Sequence, residues 1–424
     1  MLDIIKYNGQ TAEELFGKRE ELTSNVENIV KDVIADIKAN GDKALKAYSA
    51  KFDGYTGESL EVTEEEYEEA FKALPETFIQ TLKSSIKNIT EFHKKQVKSG
   101  FELDLGDRII GQKVIPVARA GVYVPGGTAA YPSTVLMNAM PAKIAGVKEV
   151  IMATPVKADG KVKAEVLVAA KLCGVDKIFK MGGAQAIAAM AYGTESVPKV
   201  DKITGPGNVF VATAKKLVSG VACGIDMVAG PSEILVLADG NAKPEYIAAD
   251  MLSQAEHDAV ASALLITDSV EQAKNVIDEL LIQVEKLERR DIAKKSLENN
   301  CKIIVTDDLD GAVELANEYA PEHLELAVKN PFDLLDKVKN AGSVFLGYNT
   351  PEAVGDYYAG ANHTLPTSGS AKFASPLSVE DFVKTTQYVY YTDKALKQAS
   401  SDIISFANSE GLTAHAQSVA VRSK

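Results

Sequence analysis

The chain has 424 residues, of which 46% are hydrophobic and 25% are charged, and its formal net charge is −13 at pH 7. This length exceeds one ordinary hydrophobic core and predicts two or more domains, and the composition is typical of a soluble globular protein. The acidic balance argues against nucleic-acid binding, which needs a basic surface, and is weakly compatible with a cationic small substrate.

Cellular location is predicted from the N-terminus and the cysteines. The first residues lack the basic-then-apolar order of a signal peptide, and no apolar run reaches the roughly 18 residues of a membrane span. Cys173, Cys223 and Cys301 are odd in number and far apart. They are expected to be free, buried thiols in a reducing compartment, because none has the setting of an activated nucleophile. These features predict a cytoplasmic protein.

Helical periodicity dominates residues 10–100. Apolar residues recur at helical spacing over residues 24–40, among them Val26, Ile29 and Val33, which predicts an amphipathic helix. Residues 63–98 are strongly charged, with apolar positions at similar intervals. The acidic run that begins at Glu64 is interpreted as a solvated helix face.

From about residue 108, short β-rich runs alternate with helical stretches. Strands are predicted at 113–117, 120–124, 149–154, 177–181 and 199–204, and a second series at 233–238, 263–267, 302–306 and 343–346. Similar segments begin at Gly146, Gly174 and Lys199, separated by about one βα unit each. This alternation predicts parallel sheets with crossover helices.

The predicted fold is therefore α/β, with two Rossmann-like domains that have parallel sheets, a helical N-terminal segment and a C-terminal arm. We expect the N-terminal helical segment at 1–25 and a discontinuous first α/β domain at 26–122 and 232–376. A second Rossmann-like domain is expected as an insertion at 123–231, and a helical arm at 377–424.

Glu322 and His323 are adjacent in the segment Ala-Pro-Glu-His-Leu-Glu-Leu, residues 320–326. A carboxylate beside an imidazole offers two proton-transfer groups whose pKa values shift towards neutrality on burial. The chain has only five histidines. His257, His323, His363 and His415 all lie in the C-terminal half, each with an acid or amide within a few residues. This distribution predicts a site assembled from distant segments.

Four further side chains could bind a metal. Gln254 and His257 are three residues apart at the end of a predicted helix, which places both on one face, although a polar helix end is the alternative. Asp356 lies between glycines that allow tight turns, and a turn residue is its alternative role. His415 is close to the C-terminus, where histidine is usually exposed. Two oxygens and two imidazoles would nevertheless complete a zinc coordination sphere.

Three glycine turns are placed to bind phosphates. They begin at Tyr123, in Tyr-Val-Pro-Gly-Gly-Thr, at Gly182, in Gly-Gly-Ala-Gln, and at Gly205, in Gly-Pro-Gly-Asn before a helix predicted at 209–217. In a parallel sheet, a strand followed by a glycine turn and a helix N-terminus exposes backbone amides that can bind phosphates. The GxGxxG motif is absent, so each turn alone is weak evidence for a nucleotide cofactor. Three such turns at the carboxyl ends of strands in one sheet favour a nucleotide cofactor.

These segments together resemble the histidinol dehydrogenase family over nearly the whole chain. The resemblance is carried by eight motifs in order: Tyr-Val-Pro-Gly-Gly (123–127), Gly-Gly-Ala-Gln-Ala (182–186), Gly-Pro-Gly-Asn (205–208), Ala-Gly-Pro-Ser-Glu (229–233), Ser-Gln-Ala-Glu-His (253–257), Ala-Pro-Glu-His-Leu (320–324), Gly-Asp-Tyr-Tyr-Ala-Gly (355–360) and Asn-His-Thr-Leu-Pro-Thr (362–367).

The resemblance implies an NAD-dependent, zinc-containing enzyme that oxidises L-histidinol through L-histidinal to L-histidine with two NAD per turnover. It implies that Glu322 and His323 accept protons and that the domain at 123–231 binds NAD. It also implies a homodimer whose C-terminal arm completes the partner's site. The implied zinc ligands are Gln254, His257, Asp356 and His415. The implied substrate contacts are these four residues together with Ser232, His323, His363 and Glu410. The implied NAD contacts are Tyr123, Gln185 and Asn208.

Two alternatives belong to other classes. A zinc hydrolase would use Glu322 as the base for a metal-bound water; the metal ligands allow it, but the phosphate turns argue against it. A ligand-binding protein of two α/β lobes would not need the pair Glu322 and His323 beside metal ligands. In the favoured interpretation the metal orients the substrate through its imidazole and amine rather than polarising the alcohol.

Overall fold

The computed structural model describes residues 2–17, 24–126 and 130–423. The α-helices are α1 Ala12–Phe16, α2 Ser24–Asp53, α3 Glu64–Ala73, α4 Glu76–Lys94, α5 Pro132–Ala145, α6 Ala164–Cys173, α7 Gly183–Tyr192, α8 Val209–Val218, α9 Pro244–Ala255, α10 Val270–Val284, α11 Arg290–Asn300, α12 Leu309–Tyr319, α13 Phe332–Leu335, α14 Glu352–Val354, α15 Asp393–Ser409 and α16 Thr413–Ala420. Shorter turns are the π-helical turn Gly355–Ala359 and the 3-10 turns Ser370–Lys372 and Val379–Phe382. Part of the predicted N-terminal segment, residues 18–23, and Gly127 of the first glycine turn lie outside the described residues.

The strands are β1 Ile4–Lys6, β2 Phe101–Asp104, β3 Arg108–Pro116, β4 Arg119–Tyr123, β5 Glu149–Thr154, β6 Lys177–Lys180, β7 Lys202–Thr204, β8 Gly224–Ile225, β9 Glu233–Ala238, β10 Ser262–Thr267, β11 Lys302–Val305, β12 His323–Ala327, β13 Ser343–Leu346 and β14 Val383–Tyr391. The chain divides into two compact units. The first comprises Met1–Gln96 and Ala118–Phe382, and the second comprises Val97–Val117 and Val383–Lys424.

The larger sheet of the first unit is parallel, with the strand order β1-β11-β10-β9-β12-β13. Alternate residues of one strand point to opposite faces, so a strand covered on both faces must be apolar throughout. In β9, Ile234 and Val236 join a core with Met251 of α9. Leu235, between them, joins a second core with Leu315 of α12. Burial on both faces explains the continuous apolar run of this strand.

The smaller sheet of the first unit is also parallel, with the order β6-β5-β4-β7-β8. Chain order runs from β4 to β5 and β6 on one side and then returns to β7 and β8 on the other side of β4. The strand order therefore reverses between β4 and β7, which in open α/β sheets opens a crevice at the carboxyl ends. The predicted α/β fold with two parallel sheets is confirmed, whereas the domain bounds stay a prediction.

Several elements differ from the prediction. Within the N-terminal segment predicted to be helical, β1 pairs parallel with β11. The strand β12 was not predicted, because His323 and Glu325 interrupt its apolar residues, yet all five residues are buried. The C-terminal arm is not helical throughout, since β14 precedes α15 and α16. The signal for β14 was its content of Thr, Val and Tyr, which favour strands.

The second unit contains an antiparallel sheet in the order β14-β3-β2, together with α15 and α16. All nine residues of β14 pair with β3, from Val383 opposite Pro116 to Tyr391 opposite Arg108. Gly111 in β3 faces the ring of Tyr388, and a Cβ atom at this glycine would lie 2.2 Å from the ring. The absence of a side chain there lets the tyrosine lie flat across the sheet.

The three cysteines are free and buried, as predicted. Burial raises the pKa of Cys223 to about 11 and that of Cys301 to about 12, so these thiols stay protonated. Among the described residues, no helix combines the length and the apolar character needed to cross a membrane.

Candidate active site

Glu322 and His323 lie at the amino end of β12, which is placed between β9 and the edge strand β13 of the larger sheet. His323 is the first residue of the strand and pairs with Ile234 of β9. Ser232, a predicted substrate contact, directly precedes β9. Ligands of open parallel sheets usually bind at the carboxyl ends of the strands. Here the predicted proton acceptors lie at the opposite edge, which the sequence did not indicate.

The carboxylate of Glu322 is held by the backbone of the neighbouring strand. Its Oε2 atom accepts a hydrogen bond of 2.8 Å from the amide of Glu233, and the residue is 8% exposed. Burial raises the pKa of Glu322 well above its ordinary value; the Glu233 amide opposes this shift, while the charges of Glu352 and Asp356 reinforce it. A carboxylate with a raised pKa is a stronger base, so Glu322 is suited to accept a proton.

The tautomer of His323 follows from its neighbours. Its Nδ1 atom lies 3.0 Å from the carbonyl oxygen of Glu233, and a carbonyl can only accept, so Nδ1 carries the proton. The Nε2 atom then keeps its lone pair, and it is buried without a hydrogen-bond partner among the described residues. Burial lowers the pKa of this imidazole, which therefore stays neutral. A neutral imidazole with a free Nε2 atom is a competent general base.

Two carboxyl groups face this nitrogen. The Nε2 atom of His323 lies 3.7 Å from Oε1 of Glu352 and 3.8 Å from Oδ1 of Asp356. Burial raises the pKa of Glu352 to about 8 and that of Asp356 to about 7. Gly355 allows this segment to approach β13, because a Cβ atom there would lie 2.6 Å from the ring of Phe345.

Glu352 is a candidate residue that the sequence analysis missed. It precedes Asp356 by four residues, a spacing that places both on one side of a helical turn, and this was the available signal. The Oε2 atom of Glu352, the Oδ1 atom of Asp356 and the Nε2 atom of His323 are all buried without hydrogen-bond partners among the described residues. One ligand atom from each of these residues lies within 4.8 Å of the others. Converging buried acceptors without donors make this place favourable for a positive charge, either a bound cation or the protonated imidazole of His323.

Gln254 lies in the last turn of α9 and is 1% exposed. Its Nε2 atom donates a hydrogen bond of 2.9 Å to Oε1 of Glu352. The contact of 3.0 Å between this nitrogen and Nδ1 of His323 is not a hydrogen bond in the assigned tautomer, because both atoms carry protons. The amide nitrogen is thus engaged, which leaves the amide oxygen available as a metal ligand.

His257 does not share a helix face with Gln254 as predicted. The helix α9 ends at Ala255, and the amide of His257 bonds the carbonyl of Gln254 at 3.1 Å in the turn that follows. His257 and Asp356 nevertheless line one cavity of about 360 Å³, together with apolar side chains such as Leu82 of α4 and Met137 of α5. Both predicted ligands therefore face the same space.

His363 also approaches the cluster. Its Nδ1 atom lies 3.8 Å from Oδ1 of Asp356, and burial lowers its pKa to about 4. The preceding Asn362 fixes this segment, since its Nδ2 atom donates to the carbonyl of Met137 at 2.6 Å. The structure thus brings Glu322, His323, Gln254, His257, Asp356 and His363 into one region of the first unit. Glu410 and His415 belong to the second unit, where Glu410 ends α15 and His415 lies in α16, both exposed.

The three predicted NAD contacts lie at the carboxyl edge of the smaller sheet. Tyr123 ends β4, Gln185 lies in the first turn of α7 after β6, and Asn208 precedes α8 after β7. The hydroxyl of Tyr123 accepts from the amide of Gly183 at 3.0 Å, and the side chain of Asn208 accepts from the amides of Phe210 and Val211 at 3.1 Å each. Tyr123 and Asn208 flank the point where the strand order reverses.

The model of the histidinol dehydrogenase family matches residues 17–423. The chain belongs to the histidinol dehydrogenase family. The histidinol dehydrogenase of Clostridium acetobutylicum is 52% identical over 98% of this chain and 96% of its own length. That of Lactococcus lactis subsp. lactis is 51% identical over 100% of this chain and 99% of its own length.

A solved structure extends the similarity to three dimensions. The crystal structure of histidinol dehydrogenase from Elizabethkingia anophelis is similar with a TM-score of 0.93 and 38% identity, over 99% of this chain and 97% of that one. An NAD-dependent aldehyde dehydrogenase from Sinorhizobium meliloti, at 13% identity and a TM-score of 0.51 over 86% of this chain and 87% of that one, shares the fold alone. Histidinol dehydrogenases are oxidoreductases of histidine biosynthesis, so the hydrolase and ligand-binding alternatives do not hold.

Proposed function

We propose that this enzyme performs both oxidations, L-histidinol to L-histidinal and L-histidinal to L-histidine, in one site, with Glu322 and His323 as the proton acceptors. The observation that carries the proposal is the free Nε2 atom of His323 beside the carboxylate of Glu322, with Nδ1 at 3.6 Å from Oε2. Two bases with different ordinary pKa values in one buried site can serve two different deprotonations. NAD, when bound, would supply the hydride acceptor for each oxidation.

His323 acts in the first oxidation. The substrate alcohol loses a hydride from carbon and a proton from oxygen, and Nε2 of His323 takes the proton. The carbonyl of Glu233 holds Nδ1–H, so the imidazole keeps its orientation as it becomes cationic. The carboxyl group of Asp356, whose Oδ1 atom lies 3.8 Å from Nε2, stabilises that positive charge.

Glu322 acts in the second oxidation. An aldehyde has no hydroxyl to deprotonate, so a water must add to it first and form a hydrate. Glu322 takes the proton that the water loses, since its raised pKa makes the carboxylate a sufficiently strong base. His323 then takes the hydroxyl proton of the hydrate as the second hydride leaves. The products are the carboxylic acid, two reduced cofactors and the released protons.

The metal of this site is proposed to be zinc. Gln254, His257 and Asp356 would hold it together with His415 from a second copy of the chain. The Oδ1 atom of Asp356 is buried without a hydrogen-bond partner among the described residues, as suits a metal ligand. Zinc would supply a Lewis-acid centre that binds and orients the imidazole and amine of the substrate. Glu352 accepts a hydrogen bond from the amide nitrogen of Gln254, so the amide oxygen is the atom of this side chain that would bind the metal.

The second copy is proposed because His415 and Glu410 are exposed on helices of the second unit. The C-terminal arm of one subunit would complete the partner's site, and such an exchange is reciprocal in a two-fold homodimer. Ser232, His363 and Glu410 are proposed to contact the substrate beside the metal ligands. A cytoplasmic location is proposed from the free, buried thiols.

The NAD is proposed to bind across the carboxyl edge of the smaller sheet, where the strand order reverses between β4 and β7. Tyr123, Gln185 and Asn208 lie at this edge. The amides at the N-terminus of α8 would attract its phosphates.

Cofactor stoichiometry tests the proposal. Purified enzyme with limiting histidinol and excess NAD should form about two NADH per histidine, followed by absorbance at 340 nm and amino-acid analysis. A ratio near one with accumulation of aldehyde would show that this site does not perform the second oxidation.

A further inference from the structure

A buried ion pair lies beneath the glycine turn that follows β7. The Nζ atom of Lys215, in α8, lies 2.5 Å from Oδ1 of Asp226, and the side chains are 2% and 0% exposed. Both residues also bind Gly205. Lys215 Nζ donates to the Gly205 carbonyl at 2.8 Å, and Asp226 Oδ2 accepts from the Gly205 amide at 2.9 Å. The ion pair therefore hydrogen-bonds both the amide and the carbonyl of Gly205.

The position of this pair calls for an explanation, because buried ion pairs rarely stabilise a fold. Removal of two charges from water costs several kcal/mol per ion, and apolar side chains of similar volume are often as stable. Lys215 also lies on a helix whose other buried residues are apolar or small, such as Val211 and Val218. The function of the ion pair is therefore expected to lie in the backbone of Gly205, which it binds.

Gly205 is the residue at which the chain turns away from β7. Its φ angle is +114°, and a Cβ atom there would lie 2.0 Å from the carbonyl oxygen of Tyr123. The backbones of β4 and β7 thus approach closely at the point where the strand order reverses. The turn continues to Asn208, which is exposed and caps α8. Only glycine combines this φ angle with so close an approach to the Tyr123 carbonyl, so the path of the turn depends on Gly205.

We infer that Lys215 and Asp226 are positioning residues for the nucleotide cofactor. They hold Gly205 so that Asn208 and the first amides of α8 stand at the crevice between β4 and β7. Neither side chain touches the cofactor itself, because both lie beneath the turn. This inference rests on the proposed binding of NAD at this edge of the sheet.

The test replaces both charges at once. A single substitution would leave one buried charge without its partner, which destabilises the fold for reasons unrelated to the cofactor. The double variant Lys215→Met/Asp226→Asn keeps the volumes of both side chains. We expect its NAD dissociation constant, measured by calorimetric titration, to rise at least about tenfold. The KM for NAD should rise in parallel, while the KM for histidinol stays within about twofold.

A matched control uses another ion pair of the same sheet. Arg119 and Glu149 pair at the amino ends of β4 and β5, with Nε of the arginine 2.6 Å from the glutamate oxygen. The variant Arg119→Met/Glu149→Gln removes an ion pair from the edge opposite the turn. It should leave the NAD dissociation constant unchanged within about twofold.

The outcomes separate this inference from the proposed cofactor site. Asn208→Ala probes the site directly, and an unchanged NAD dissociation constant for this variant would remove NAD from this edge and the inference with it. If Asn208→Ala weakened NAD binding but the folded double variant bound NAD as the wild type does, only the positioning role would be overturned. If the double variant did not fold, Lys215→Gln/Asp226→Asn, which also removes both charges together, would be titrated with the same expectation. Loss of the fold in both variants would show a purely structural pair and would also overturn the inference.

Discussion

The Nε2 atom of His323 lies 3.7 Å from Oε1 of Glu352, and the same glutamate oxygen accepts a hydrogen bond from Gln254 at 2.9 Å. Glu352 therefore connects the proposed general base with a proposed metal ligand. The family motifs in the sequence drew attention to Asp356, whereas Glu352 is more deeply buried, at 3% exposure. A buried carboxyl group in this position orients the amide of Gln254, a proposed metal ligand.

The first prediction concerns Glu352. Glu352→Gln keeps the shape of the side chain but replaces the carboxylate by an uncharged amide. The amide oxygen is a weaker acceptor for the hydrogen bond from Gln254 than a carboxylate oxygen is. We expect zinc affinity to fall by about 10- to 100-fold, the usual effect of a lost outer contact to a metal ligand. Competition with a chelator of known zinc affinity measures this change. Glu314→Gln on the exposed side of α12 is the control, and equal zinc affinity of both variants would contradict the assigned role.

The second prediction concerns the pH dependence of stability without metal. The pKa of Asp356 rises from an ordinary 3.8 to about 7, and that of Glu352 from 4.5 to about 8. A carboxyl whose pKa is raised by folding stabilises the protein below its ordinary pKa, and this contribution is lost as the pH rises through the folded value. Asp250, raised to about 6, acts in the same direction. The metal-free enzyme should therefore lose stability as the pH rises to about 8.

The most informative window lies above pH 6.5, the ordinary pKa of histidine, because His363, with its pKa lowered to about 4, acts in the opposite direction below that value. Thermal unfolding of the metal-free enzyme between pH 6.5 and about 8 should show a decreasing Tm, equivalent to at least about 1 kcal/mol. Glu352→Gln should flatten this slope, and saturating zinc should do so as well. A Tm that rises through this window in the metal-free wild type would refute the prediction.

The third prediction separates the two bases. Glu322→Gln should slow aldehyde oxidation by about 100-fold or more, because hydration needs a carboxylate, and should affect alcohol oxidation much less. His323→Asn should slow both hydride transfers by a similar factor, since each needs a deprotonated oxygen. Single-turnover measurements with histidinol and with histidinal distinguish the two variants. Oxidation of histidinal by Glu322→Gln at the wild-type rate would show that Glu322 is not the base for water.

The fourth prediction concerns the homodimer. Subunits with His415→Ala and subunits with His257→Ala should each be inactive, because each lacks a proposed zinc ligand. If the arms exchange, a mixed dimer contains one site with both defects and one intact site, so mixing should restore activity to about half the wild-type value per mixed dimer. Reassortment is verified by mass spectrometry of tagged subunits. Mixed dimers without activity would place His415 in the site of its own chain.

Local patterns in the sequence determined much of this protein. The apolar runs of β5, β9 and β13 predicted those strands at their observed bounds. In β5 and β9 the run reflects burial on both faces of a parallel sheet. The glycine turns predicted the carboxyl edge of the smaller sheet. His323 and Asp356 were found from their residue types and motif context, and the structure places them 3.8 Å apart.

Tertiary structure alone decided which polar groups are buried and what they face. Lys215 looks like one of many surface lysines on a helix, and its burial depends on Asp226, which follows in a different loop. Glu352 looks like an ordinary first-turn acid, and its raised pKa depends on the surrounding protein. The location of His323 at the amino edge of β12 required the pairing with β9, residues about 90 positions earlier. Periodicity shows which residues are apolar. The desolvation of a charged group and the partners that it contacts depend on segments distant in the sequence, so no local pattern predicts them.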